Sequence, residues 1–322
     1  MILIDKRQLF KSKIKNASNV LIMGHKDLDL DALGAALGVS LYASEKGKKN
    51  YIIIDDRRQE LGTRKTREKV KKDFNFIRGK EAKGLIDKKT LLIIVDTNKK
   101  DLLQNKEIYS LVENVVIVDH HDLSESSIDE GLLIVDINAS STCEMVAELL
   151  EYEKIKVNTS IATALLSGIM LDTNNYVLKT TSRTFKISYY LTKCGVDPIQ
   201  VQYLLKQDLK FYIARQKVIT EVKLIRKVAF AKGKQKEKYR REDLAKISDT
   251  LLLFNGVEAS FTVGKLDNTT VGVSARSLGN INVGRILERI NGGGDEYEAA
   301  AKINNKTVTI VRNELIEIIK NL

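Results

Sequence analysis

Between residues 19 and about 175, five short apolar runs alternate with longer stretches of helical period, a pattern that a parallel sheet covered by helices accepts and few other architectures do. The runs are Val20-Leu21-Ile22-Met23, Tyr51-Ile52-Ile53-Ile54, Leu91-Leu92-Ile93-Ile94-Val95, Val115-Val116-Ile117-Val118 and Leu132-Leu133-Ile134-Val135. Each is apolar throughout, as strands buried on both faces should be. The fold class is therefore α/β, a mostly parallel five-stranded sheet with helices on both faces. Residues 142–208 read as helices, opening at Ser141-Thr142-Cys143-Glu144, where Ser141 can cap and Glu144 can reach back. From about residue 210 the texture changes to a smaller α/β unit, with a helix near residues 244–254, a hairpin-like pair over 259–275 and two or three closing helices. This divides the 322 residues into a domain at 1–205, a helical linker at 206–225 and a second domain at 226–322.

Composition narrows the class further. Apolar residues make up 43% of the chain and there is one proline, Pro198, so real cores and long helices are both permitted. Cys143 and Cys194 lack C-x-x-C or ligand spacing, which leaves no disulfide framework or zinc site and points to a reducing cytoplasm. No apolar run approaches the roughly 18 residues needed to span a bilayer. The N-terminus lacks the layout of a signal peptide. The net charge of +11 is concentrated in residues 57–80, with ten Lys or Arg against three acids, and 221–241, with nine against two. Such patches favour nucleotides, nucleic acid or acidic lipid heads, and the plainer reading of each is a solvated helix face.

Histidine supplies the sharpest chemical signal, because the chain has three, and His25, His120 and His121 all stand at strand ends beside aspartates. In open α/β sheets ligands collect beyond the carboxyl ends of the strands, which puts His25, Asp96, Asp119, His120 and Asp136 where a site would form. His25-Lys26-Asp27-Leu28-Asp29-Leu30-Asp31 packs one imidazole and three carboxylates into seven residues, where unshielded like charges repel unless a cation sits among them. Asp27 is set aside as a solvated loop residue. Asp172 in Met170-Leu171-Asp172-Thr173-Asn174 extends the set. Nitrogen and oxygen donors without thiolate suit Mn²⁺ or Mg²⁺ ahead of Fe²⁺ or Zn²⁺, and there are more of them than one ion needs. Two ions about 3.5 to 4 Å apart, bridged by a carboxylate and a hydroxide, make a hydrolytic centre for phosphate esters.

His-x-x-x-Asp-x-Asp, Asp-Thr, Asp-His-His and a further Asp resemble the DHH phosphoesterase superfamily. Gly272-Val273-Ser274-Ala275-Arg276-Ser277, Asn280-Ile281-Asn282-Val283 and Gly292-Gly293-Gly294 resemble the DHH-associated nucleotide-binding domain, the glycines read as a loop before a helix. Thr181-Ser182-Arg183-Thr184-Phe185 and Gly256-Val257-Glu258-Ala259-Ser260-Phe261 resemble the catalytic half of GdpP-type cyclic di-AMP phosphodiesterases. The resemblance covers essentially the whole chain. It implies two Mn²⁺, with Mg²⁺ or another divalent ion as substitutes, one held by His25 and Asp29, the other by Asp31, His120 and Asp172, and Asp96 bridging them. His121 would contact the substrate phosphate and Asp119 would orient the histidines. Ser274 and Arg276 would grip phosphate, with Asn280, Asn282 and the backbone of Gly292, Gly293 and Gly294 completing a nucleotide site across a cleft.

The implied reaction is hydrolysis of cyclic di-AMP to linear pApA, and onward to AMP if a second cut follows, by attack of metal-bound hydroxide on phosphorus. Relatives imply a homodimer. Three departures stand out. Asp295 follows the triple glycine where the family has histidine, Asp122 follows Asp-His-His where relatives are often basic, and the upstream membrane and sensor segments that anchor the relatives are not in this sequence, so that either the chain is a stand-alone soluble form or the upstream part has been removed; as it stands it is expected to be cytoplasmic. The rival enzyme is the oligoribonuclease and pAp phosphatase branch of the same superfamily. A binding module for nucleotide or RNA that has lost catalysis is the third reading.

Overall fold

The computed structural model describes residues 2–55 and 59–321, and the chain folds into two compact units, Met1–Lys206 and Gln207–Leu322. Arg57 and Arg58, which begin the first basic window, lie outside the described residues. From Arg64 to Lys80 nearly all the window's cations are exposed, and the Leu61–Val70 helix buries only Gly62, Thr63, Thr66 and Val70, so its charges form the solvated face of that helix.

In the first unit the apolar runs form β1 (Val20–Met23), β2 (Asn50–Ile53), β4 (Leu91–Val95), β5 (Asn114–Asp119) and β6 (Leu132–Val135), and a two-residue strand β3 (Phe76–Ile77) adds a sixth at the edge. Two residues carry no periodicity, which is why β3 was not expected from the sequence. All pairs are parallel, in the order β3-β2-β1-β4-β5-β6. Strand order reverses between β1 and β4, so the connections leaving them part in opposite directions and open a crevice at their carboxyl ends. β1 and β4 are wholly buried, as runs with helices on both faces require.

The Leu30–Glu45 helix rises from the end of β1 and is buried on almost every side. It packs against the Thr142–Tyr152 and Thr159–Asp172 helices. Gly34 makes the close approach possible, since a Cβ there would lie 2.6 Å from Cys143 Sγ and 2.9 Å from the Ala164 carbonyl oxygen. Ser141 caps the Thr142–Tyr152 helix as expected, its hydroxyl accepting from Glu144 N–H at 3.0 Å. Glu144 does not reach back to the cap residue. Its carboxylate takes the hydroxyl of Ser140 instead, at 2.7 Å.

The second unit is a mixed sheet in the order β11-β12-β10-β9-β8-β7, with β7 (Lys223–Ile225), β8 (Val228–Lys232), β9 (Ala259–Lys265), β10 (Thr270–Ser277), β11 (Gly293–Gly294) and β12 (Glu298–Asn304). β9 and β10 are the expected hairpin-like pair, joined antiparallel. Leu209–Ile219 and β7, which fall in the stretch read as a linker, are a helix and a strand of this unit. The triple glycine does not precede a helix. Gly293 and Gly294 pair with β12, and Gly294 has φ of 149°, where a Cβ would meet the Glu298 carbonyl oxygen at 2.2 Å. Among the described residues no helix is long and apolar enough to cross a membrane.

Candidate metal centre

Five segments of the first unit converge at the crevice. His25 lies two residues beyond β1 and Asp29 caps the Leu30–Glu45 helix, its carboxylate accepting from Ala32 N–H at 3.0 Å. Asp31 sits in the first turn of that helix, Asp96 directly follows β4, His120 and His121 follow β5, and Asp172 ends the Thr159–Asp172 helix. Their donor atoms fall into groups within 4.8 Å of one another: His25, Asp29 and Asp96; Asp31, Asp96, His120 and Asp172; and Asp96, His120 and His121. Asp96 belongs to all of them. It is 2% exposed and has φ of 61°, a left-handed conformation that a non-glycine residue adopts at a cost.

His25, Asp29, Asp31 and Asp96 are each fixed by a neighbour. His25 Nδ1–H donates to the Lys26 carbonyl at 2.6 Å, which leaves Nε2 facing Asp29 and Asp96, 3.5 Å from each. Gln104 sets the backbone there, donating through Nε2 to the His25 carbonyl at 2.8 Å and through its own N–H to the Gly24 carbonyl at 3.1 Å. Asp31 is wholly buried, and its two oxygens accept from Thr142 N–H at 2.8 Å and Cys143 N–H at 2.9 Å, the first turn of the Thr142–Tyr152 helix acting as an anion cradle. The Thr142 hydroxyl donates to Asp96 at 3.0 Å. Thr142, Cys143 and Gln104 were not expected from the sequence. The Ser141 cap was the available sign that the helix terminus lies here.

Asp119 was expected to orient both histidines, and it orients one. Its Oδ1 accepts from His121 Nδ1–H at 2.8 Å and from the backbone N–H of His120 at 2.8 Å, and the His120 ring is out of its reach. Asp119 Oδ2 is buried without a hydrogen-bond partner among the described residues, while the His120 ring is turned toward Asp172, with Nε2 at 3.0 Å. Asp136 joins none of the donor groups and is bonded to Arg183 at 2.8 Å. Asp27 is exposed.

Charge in this cluster is unresolved by protein groups alone. Burial, then Asp96 and Asp172, push the Asp31 carboxyl well above the usual carboxylate range. Burial, opposed by His120, pushes Asp172 up to about 6. Asp96 is also buried, yet His120 and His25 hold it well below the ordinary value. Burial opposes charging of His120, and Asp172 and Asp96 overcome it and raise its pKa. Both ring nitrogens of this buried histidine lack a hydrogen-bond partner even so, although Nε2 is 3.0 Å from Asp172. Orphaned imidazole nitrogen among hard carboxylate oxygens is the donor chemistry of a divalent cation. Cys143 is no competitor, because burial raises its pKa and its thiol donates to the Asp31 carbonyl.

In the second unit a cavity of about 680 Å³ is lined by Ser274, Arg276, Gly292, Gly293, Gly294 and Glu298 among others, so five of the expected substrate residues share one wall. Asn280 and Asn282 are not part of the lining, and Asn282 caps the Val283–Glu288 helix. Arg276 is committed in part, with Nε donating to Asp249 at 2.8 Å and Nη2 3.4 Å from Glu298. Asp295 turns its carboxylate onto Tyr297 and Glu298 N–H, at 2.8 and 2.7 Å, and so closes the turn between β11 and β12.

Comparison with known proteins matches residues 19–169 to the DHH family, N-terminal domain, and residues 221–322 to the DHHA1 domain. The cyclic-di-AMP phosphodiesterase GdpP of Geobacillus thermodenitrificans is 39% identical over 314 residues, 95% of this chain and 48% of that protein. The chain thus spans about half the length of that relative. The bifunctional oligoribonuclease and PAP phosphatase NrnA of Mycoplasma genitalium is 25% identical over 91% of each chain. Among solved structures, an exopolyphosphatase-related protein from Bacteroides fragilis superposes with a TM-score of 0.80 at 19% identity, covering 99% of this chain and 95% of that one, which establishes the shared fold.

Proposed function

The chain belongs to the DHH family, and from that premise we propose that it is a phosphodiesterase that hydrolyses cyclic di-AMP to linear pApA with the help of two divalent cations, Mn²⁺ foremost. The observation that carries the reading is that two of the three donor groups, His25 with Asp29 and Asp31 with His120 and Asp172, meet at a shared Asp96. His25, Asp29 and Asp96 would hold one cation, and Asp31, Asp96, His120 and Asp172 the other. Cations bound there supply Lewis acidity toward water and the phosphoryl group.

The rest follows from side chains. Asp119 accepts from Nδ1–H of His121 and so directs Nε2 of this half-exposed ring outward, toward a substrate phosphate. Burial opposes its charging, but Asp119 raises its pKa, which favours the imidazolium that an anionic phosphate selects. In the second unit Arg276 Nη1 donates to the Ala275 carbonyl at 3.0 Å and to Ser274 Oγ at 3.4 Å, so Arg276 and Ser274 would meet a nucleotide phosphate together, the phosphate competing with Glu298 for Nη2. The glycine strand β11 lets a base approach backbone without meeting a side chain.

The likeness to NrnA along nearly the full length of both chains favours a second reading, cleavage of short linear oligonucleotides or pAp. One competition assay separates the two: equal cyclic di-AMP and pApA with Mn²⁺ or with chelator, products resolved over time. Metal-dependent loss of the cyclic dinucleotide with accumulation of pApA is expected. Loss of pApA with the cyclic substrate untouched would move the protein to the second reading.

A further inference from the structure

Resting on the two-cation reading, we propose that Arg183 and Phe185, both on the Ser182–Lys193 helix, are positioning residues for one cation subsite, that of Asp31, Asp96, His120 and Asp172. Arg183 gathers three buried carboxylates from two other segments. It donates to Glu148 through Nε and Nη2 at 2.7 and 2.6 Å and to Asp136 at 2.8 Å, and Glu144 lies 3.1 Å from Nε. Burial opposes its charge, but Glu148 and then Glu144 raise its pKa further, so it is a permanent cation between Asp136, just beyond β6, and two successive turns of the Thr142–Tyr152 helix. Glu144 in turn takes the Ser140 hydroxyl. The fork therefore fixes the first turn of that helix, whose N–H groups hold both oxygens of Asp31 and whose Thr142 hydroxyl holds Asp96.

Phe185 acts on the remaining carboxylate. Asp172 is followed within four residues by Asn174, Asn175 and Tyr176, all left-handed, with φ of 46°, 58° and 66°. Asparagine tolerates that conformation and tyrosine does not, so the run needs support, and part of it is local, with Asn175 N–H donating to the Met170 carbonyl at 2.8 Å and Tyr176 N–H to Thr173 Oγ1 at 3.0 Å. The outside support is the Ser182–Lys193 helix, where Phe185 stacks on Tyr176 at 5.4 Å between centroids and the Tyr176 hydroxyl donates to Ser188 Oγ at 3.1 Å. One helix thus restrains Asp31, Asp96 and Asp172. His25 and Asp29 make their hydrogen bonds elsewhere, with the Lys26 carbonyl and the Ala32 N–H.

The test is Mn²⁺ binding to the metal-stripped full chain, by calorimetry with electron paramagnetic resonance, for the parent, Arg183→Lys and Phe185→Leu. The parent should bind two equivalents. Each variant should bind one equivalent about tenfold or more weakly and the other, which meets this helix only through the shared Asp96, with a clearly smaller loss. Equal weakening of both equivalents, or no weakening of either, would overturn the proposal while leaving the two-cation reading in place. A parent that binds fewer than two equivalents overturns that reading as well. Phe185 is 56% exposed, so Phe185→Leu leaves the fold intact and decides the matter if Arg183→Lys does not fold.

Discussion

His120 and His121 are adjacent in sequence and differ in every physical respect that bears on their roles. The first is buried with Nε2 3.0 Å from Asp172 and 3.5 Å from Asp96, and neither ring nitrogen has a hydrogen-bond partner among the described residues; the second is half exposed and held by Asp119. His120→Ala should therefore lower Mn²⁺ affinity by about tenfold or more, whereas His121→Ala should leave bound metal near the parental level and reduce kcat about a hundredfold. Metal content and steady-state rates measured on the same preparations check both. Asp96→Ala removes the one donor common to every group, so turnover should fall to background and both equivalents of Mn²⁺ should bind more weakly; turnover near the parental rate would exclude a shared ligand. The donor residues were legible in the sequence because histidine is scarce and the acids follow apolar runs. Thr142 and Cys143 were not, because what they contribute to Asp31 is backbone N–H, which every residue but proline carries.

Elements were legible where burial dictates composition and obscure where pairing overrides local preference. The five apolar runs became strands within a residue or two of their expected ends. Glu298-Ala299-Ala300-Ala301-Lys302 is rich in good helix formers, yet β12 pairs with β10 along seven residues, because an open edge of β10 gains more from a partner strand than alanine loses by leaving a helix. Among helices the decisive contact is at Gly34, with Cys143 Sγ and the Ala164 carbonyl both inside ordinary contact distance of a Cβ. Gly34→Ala should destabilise the first unit by about 1 to 3 kcal/mol, since backbone and a wedged thiol cannot both yield. Denaturant unfolding of the metal-stripped protein measures it, and a stability within about 0.5 kcal/mol of the parent would mean the three helices can part without cost.

Across the whole molecule most of the described cations of both basic windows are exposed, but a few are tied to acids. Arg240, in the second basic window, is bound to Asp243 at 3.1 Å, and the buried Arg215 reaches the same carboxylate at 3.1 Å. Burial works against ionisation of Asp243, but Arg240 and Arg215 hold its pKa below the ordinary value. A carboxyl whose folded pKa lies below its unfolded value of about 3.9 contributes stability that is fully present above that pH and is lost as pH falls through the folded value. Asp243→Asn should accordingly cost about 3 kcal/mol between pH 5 and 8, with the gap to the parent closing below about pH 4. Urea titrations from pH 8 down into the acid range check it, and a gap that does not narrow as pH falls below the unfolded value would assign the loss to packing.

The donor groups also bear on how the protein comes into being. They draw on residues from His25 to Asp172, and the strand that carries His25 is completed by pairing with β4, which arrives some seventy residues later. A nascent chain released from the ribosome only as far as the Thr159–Asp172 helix holds at most part of a centre, and long-range parallel pairing is slow to form. The donor cluster is thus completed late in the life of the chain, and a cation that needed all of it would bind only after the first unit had folded through the Thr159–Asp172 helix.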